Sequence, residues 1–355
     1  MSSFMVTFFR AGDVACAATA VALVIGVAAG PGPANAAPQV QTYVQAVSGQ
    51  SPNTFPLSDC ITFGTPQPIR SYFGSAGVSN PIAGNTACNI VDDTHGSTAA
   101  SGIVTDSAAV ANTFNAGLNS STGSASANAQ FGKIGADAHG TFTGNGNGLI
   151  VEGAQGFALI RETITPHSPT QADGTADVMS LKFTVDGSLS VTGANGTAAF
   201  SVVYQKDGGP IFLLAAGQAF SPASAPSLVA GSLGDDVAGF AVGPGTALGS
   251  DDFHAFVNVV LGTPFEFTLA MLAYVIPGDG ATDAVDFASS ALLTGIELFD
   301  AAGNPIPDFS IDSGSGTVYD ANGVHLTSAA PEPATLAVFG LGLAGLGFTR
   351  RRRPG

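Results

Sequence analysis

The chain has 355 residues, with 10 Lys and Arg against 26 Asp and Glu, 47 Gly, 21 Pro and no Trp. Only 10% of positions are charged, which excludes a long charged coiled coil, and the glycines lack the three-residue period of collagen. A net charge of −16 argues against nucleic acid as a partner, because a phosphate backbone calls for a basic patch.

Residues 1–36 read as a secretory signal peptide. Arg10 is the only basic residue of the n-region, and the run from Val14 to Ala29 supplies the h-region. Gly30, Pro31 and Pro33 break any helix before Ala34-Asn35-Ala36, where Ala34 and Ala36 have the small side chains and spacing that signal peptidase cleaves after. The other reading, an uncleaved anchor, is disfavoured because the run is short for a spanning helix.

The body that follows, 37–330, holds five basic residues against 24 acidic ones, a net of −19. Such a charge keeps a protein soluble and repels polyanions. Within it stand Cys60 and Cys88, the pair left once Cys16 departs with the signal peptide. In an oxidising compartment they are expected to form one disulfide, closing a loop worth roughly 3–4 kcal/mol in chain entropy.

Residues 37–130 read as an irregular, disulfide-containing part. Its Ser/Ala/Asn/Gly-rich segment 97–128 is either loosely ordered or a polar outer-sheet stretch. From 131 to 329 a β-sandwich body is expected. Met179, Leu181, Phe183, Val185, Leu189 and Val191 share one parity while Lys182, Thr184, Asp186 and Ser188 take the other, giving a half-buried strand or a tight hairpin at Asp186-Gly187. Asn195-Gly196 is a type I′ hairpin signal, after which Ala198, Phe200, Val202 and Tyr204 resume the apolar parity. Asp207-Gly208-Gly209 turns the chain again. Further strands are expected at 149–165, 253–261, 265–276, 292–299 and 309–311, with 300–305 as a turn. No stretch of 12 residues in the body carries a helical stripe. The fold class is therefore all-β, an antiparallel sandwich of jelly-roll type.

Chemistry is sparse along the body. No Gly-x-Ser-x-Gly elbow occurs, and His95, His139, His167, His254 and His325 form no His-x-x-x-His pair. Asp92-Asp93-Thr94-His95 and Asp251-Asp252-Phe253-His254 look more like turn caps than metal ligands. Glu152, Glu162, Glu266 and Glu297 could serve as a glycosidic acid and base only if folding paired them. Asp279, Asp283 and Asp286 fall in a Gly-containing segment that reads as a solvated turn, with calcium the one ion it would suit. No other cofactor is expected, and the chain is read as a non-enzyme.

The C-terminus is more informative. Pro331-Glu332-Pro333 precedes 15 uncharged residues, Ala334 to Phe348, and then Thr349 and Arg350, Arg351, Arg352 and Arg353. As a helix those 15 residues reach about 22 Å, short of a bilayer core of roughly 30 Å. Four arginines favour the cytoplasmic side, which leaves the body outside. The segment thus reads as a temporary membrane stop with a transient inner-membrane stage. This order of triplet, Gly/Leu-rich segment and Arg cluster over 330–355 resembles the PEP-CTERM sorting signal of exopolysaccharide-producing Gram-negative bacteria. The resemblance implies recognition by exosortase after signal peptidase has acted, removal near the triplet, and delivery to the cell surface or extracellular matrix, with exopolysaccharide or biofilm as the setting. It implies no activity for the body, since such tails occur on unrelated proteins. Carbohydrate or ice binding is the alternative, ice because similar tails occur on some ice-binding proteins. A hydrolase is the remote third reading.

Overall fold

Alternation of inward apolar and outward polar side chains builds nearly every element of this chain. In the computed structural model the described residues run from 37 to 325, apart from 52–60, 63–68, 74–77, 79, 82–88, 115–118, 145–148, 193–195, 221–226, 229–250 and 279. The signal peptide, Cys60, Cys88, Asp279 and the whole C-terminal signal lie outside them.

In chain order the elements begin with β1 (Gln39–Ser51), β2 (Ile61–Thr62), α1 (Ile69–Phe73), β3 (Asn80–Pro81), β4 (Asn89–Ala99), β5 (Val104–Phe114), β6 (Asn119–Gln130) and β7 (Lys133–Thr143). They continue through β8 (Leu149–His167), β9 (Ala176–Val185), β10 (Ser188–Thr192), β11 (Thr197–Lys206), β12 (Ile211–Phe220) and β13 (Ser227–Leu228). The last are β14 (Asp251–Val260), β15 (Phe265–Ile276), β16 (Thr282–Phe299), β17 (Ser310–Ser313), β18 (Val318–Asp320) and β19 (Gly323–His325).

Two antiparallel sheets pack face to face. The first has the order β13-β12-β11-β15-β8-β1-β4, with β17 beside the end of β8; the second has β14-β9-β16-β7-β6-β5, with β10 beside β16. The chain passes from one sheet to the other after β4, β7, β8, β10, β13, β14, β15 and β16. This repeated crossing ties the two sheets into one antiparallel sandwich.

The interior differs between the two halves. Where β9, β11, β15 and β16 face each other it is aromatic: Phe200 stacks on Phe287 with ring centroids 3.9 Å apart, and Phe183 on Phe267 at 6.1 Å. Where β1 and β8 face β5, β6 and β7 it is made of Ala46, Ala154 and Ala158 against Ala108, Ala125, Ala127, Ala136 and Ala138, all buried. The sheets come so close there that a Cβ on Gly156 would press on the Ser126 carbonyl oxygen and lie 2.9 Å from that of Asp137. Small polar groups bond across this narrow half. Thr42 donates to Asp106 at 2.6 Å, Ser97 to the same carboxylate at 2.8 Å, and Ser48 meets Ser121.

The outer face of the first sheet is covered too. Helix α1 lays Tyr72 and Phe73 on Phe157, with ring centroids 6.4 and 6.2 Å away, and Arg161 donates to the Tyr72 hydroxyl at 3.1 Å. Gln155, fully buried on this face, accepts from the Val78 amide at 2.8 Å and donates to Gln45 at 2.7 Å.

Three expectations require correction. Among the described residues of 37–130, β1 lies between β8 and β4, and β4, β5 and β6 are regular strands, so a boundary at 130/131 would cut the β6/β7 hairpin. Asp186-Gly187 makes no hairpin; β9 and β10 follow one another along the same partner, β16. Asn195 lies outside the described residues, but β10 and β11 on either side of Asn195-Gly196 belong to different sheets and so form no hairpin. The turn after β11 is as expected: Asp207 takes a φ of 50° and Gly208 one of 64°, and β11 pairs with β12.

Candidate functional site

At one end of the sandwich the two sheets part around a cleft of about 380 Å³. The second sheet contributes the start of β9 and the end of β14, and the first contributes the end of β11 and the start of β15. Asp177 lies on the inward parity of β9, in line with Met179, Leu181 and Phe183, and is 3% exposed. Both of its carboxylate oxygens are buried, and among the described residues neither has a hydrogen-bond partner. Burial first, and then the charge of Asp300, push its carboxyl above the usual range. Asp300 itself stays ionised, held low by the Asn304 side chain at 2.9 Å and by the amides of Asn304 and Ala302 at 2.8 and 2.9 Å.

On the opposite wall stands Lys206, the one cation of the cleft among the described residues. Lys206 pairs with Asp207 and places its ammonium 5.3 Å from the centre of the Phe265 ring. Val259, Val260 and Pro264 complete an apolar lining, with Asn258 at the rim. Asp177 stands one step before the alternation that is evident from Met179 onward, and so outside the strand expected from sequence. The available signal was a charged residue on the apolar parity.

The residues singled out from sequence are dispersed. Asp283 and Asp286 do not stand in a turn: β16 begins at Thr282 and places Asp283 inward, fully buried, and Asp286 outward and exposed. Opposite faces of a strand cannot share one cation, so this pair makes no calcium site. Asp283 accepts from the Thr192 amide at 3.3 Å while its second oxygen has no partner, and burial pushes its carboxyl up to about 6. Among the described residues no group of three His, Cys, Asp or Glu is placed to hold a metal ion.

The two Asp-Asp-x-His segments are strand residues and not turn caps. On β4, Asp93 accepts from the Ala109 amide at 2.8 Å and pairs with His95 at 2.9 Å. On β14, Asp252 pairs with Lys182 at 2.9 Å and accepts from Thr184 at 2.7 Å, which holds its carboxyl below the usual range, while His254 meets the Ser180 hydroxyl at 3.0 Å. The four glutamates do not converge. Glu152 and Glu162 sit ten positions apart on β8, roughly 33 Å at strand rise. Glu266 pairs with Arg161 at 3.4 Å on the outer face of the first sheet, and Glu297 is exposed on the second.

One array emerges only in the fold. On the outer face of the second sheet the register aligns Thr122, Thr141, Thr282 and Thr192 across β6, β7, β16 and β10. Adjacent strands place them about 4.8 Å apart, and the Thr122 and Thr141 hydroxyls are hydrogen-bonded at 2.6 Å.

Among the described residues no helix is long and apolar enough to cross a membrane, and the expected apolar helix at 334–348 lies outside them. Residues 329–353 match the PEP-CTERM protein-sorting motif, so the chain carries that motif at its C-terminus. The motif marks export and exosortase-dependent sorting to the cell surface of Gram-negative bacteria. No curated protein and no solved structure matches the chain.

Proposed function

We propose that this is a non-enzymatic surface or extracellular-matrix protein. Its sandwich body is released on the outer side by signal peptidase, handed on by exosortase, and kept in an exopolysaccharide or biofilm matrix. The observation that carries this reading is the sorting motif at 329–353. The acidic body supports it, because a net charge of −19 keeps the exported chain soluble among anionic polymers. So does the dispersal of the glutamates, which keeps Glu152 and Glu162 roughly 33 Å apart at strand rise, too far for acid–base work on one bond.

Deleting Pro331 to Gly355 tests the reading. The truncated chain is expected to fold, to be exported, and to accumulate in the periplasm instead of the surface or matrix fraction. Unchanged recovery from the matrix overturns it.

A second reading, a module that binds carbohydrate or ice, is favoured by the outward-facing cross-strand row Thr122, Thr141, Thr282 and Thr192. Retention on polysaccharide, or thermal hysteresis, that is lost with Thr122→Lys and Thr282→Lys together would select it.

A further inference from the structure

The cleft at the end of the sandwich holds a group that folding alone does not satisfy. A buried carboxylate without a partner is costly, and proteins normally pair it or leave it protonated. Asp177 is 3% exposed, neither of its oxygens is bonded, and it lines a cavity of about 380 Å³. The cation lining the cleft does not answer it: Lys206 is already held by Asp207 and lies against Phe265. The charge that acts on Asp177 is negative, the ionised Asp300 beyond the end of β16.

We infer that this cleft binds a primary alkylammonium, with the ammonium on Asp177 and the alkyl chain along Val259, Pro264 and Phe265. An ammonium supplies both the missing opposite charge and up to three donors to a carboxylate that has none. The remaining wall is apolar, which suits an alkyl stem and gives few partners to the many hydroxyls of a sugar. A simple anion is disfavoured by Asp177, Asp207 and Asp300 together. The ammonium can belong to a free amine or to a lysine side chain, and the cavity admits either.

The test is calorimetric titration of the exported protein at pH 7.5 and low salt with 1,5-diaminopentane and, separately, Nα-acetyl-lysine methylamide. Saturable one-to-one binding of either amine is expected, and the tighter arm identifies the source. Neither 1-pentanol, which keeps the chain but not the charge, nor glucose should bind. Asp177→Asn, which preserves shape, should weaken the amine by about tenfold or more, about 1.4 kcal/mol per decade, with its unfolding midpoint no lower than that of the parent. The inference is overturned by an absence of amine binding, by pentanol or glucose binding as well as the amines, or by full binding in Asp177→Asn. The comparison of amine with alcohol uses only the parent protein, so it decides even if the variant misfolds.

Discussion

The hydroxyl of Tyr319 donates to the carboxylate of Glu162 at 3.3 Å, joining residues 157 positions apart. Glu162 is 1% exposed at the end of β8 and also accepts from the amides of Thr163 at 3.0 Å and Ser315 at 3.1 Å, and from the Ser315 hydroxyl. One buried acid thereby fastens the segment from β17 to β19 to the first sheet. Burial pushes its carboxyl up, against the opposing pull of these donors.

Glu162→Ala leaves those donors unmet and is expected to cost about 2–4 kcal/mol in urea unfolding, with Tyr319→Phe costing about 1. Equal, small losses in both variants would show that the junction contributes little.

Asp283 gives a pH dependence of defined sign. Its carboxyl has an ordinary value of 3.8 and a folded value of about 6, so the folded state holds the proton more tightly than the unfolded one. Its stabilising contribution is complete below 3.8 and is lost as pH rises through about 6. Asp283→Asn is expected to flatten the fall in stability across that window and to raise stability at pH 7 by about 1–3 kcal/mol. Denaturation midpoints at pH 4 and pH 7 check this. An unchanged slope would contradict it.

Gly156 sits where the sheets approach most closely. Gly156→Val should cost about 3 kcal/mol or more, since the facing backbone oxygens of Ser126 and Asp137 cannot move aside as a side chain can. Ala158→Gly on the same strand removes one methyl and should cost about 1. Thermal melts of the two variants would show whether they rank in that order.

Much of the second half of the body was legible because large side chains mark the period. Phe265, Phe267, Leu269, Met271 and Val275 alternate cleanly, and β15 runs where they do. The same alternation exists in β6, where Ser121, Gly123, Ala125, Ala127 and Ala129 are buried and Ser120, Thr122, Ser124 and Ser126 turn outward. Alanine and serine differ too little in hydropathy for the pattern to stand out, and the small inward residues are there because the sheets nearly touch. The cleft was hidden for a different reason. Asp177 gains its meaning from a cleft it shares with Lys206 and Phe265, which lie on strands distant in the chain.

Cys60 and Cys88 are expected to be bridged once the chain is exported. Peptide mapping without reductant should recover one linked pair, and two free thiols would refute the bridge.

The most direct measurement is the intact mass and fraction of the exported protein beside a variant in which Pro331, Glu332 and Pro333 are all alanine. The parent is expected in the surface or matrix fraction, lacking residues 1–36 and cut near the triplet. The variant keeps its apolar segment and Arg350 to Arg353, so it should stay with the inner membrane at the mass of the uncut tail. A variant found in the matrix in the same amount and at the same mass as the parent would contradict sorting through this signal.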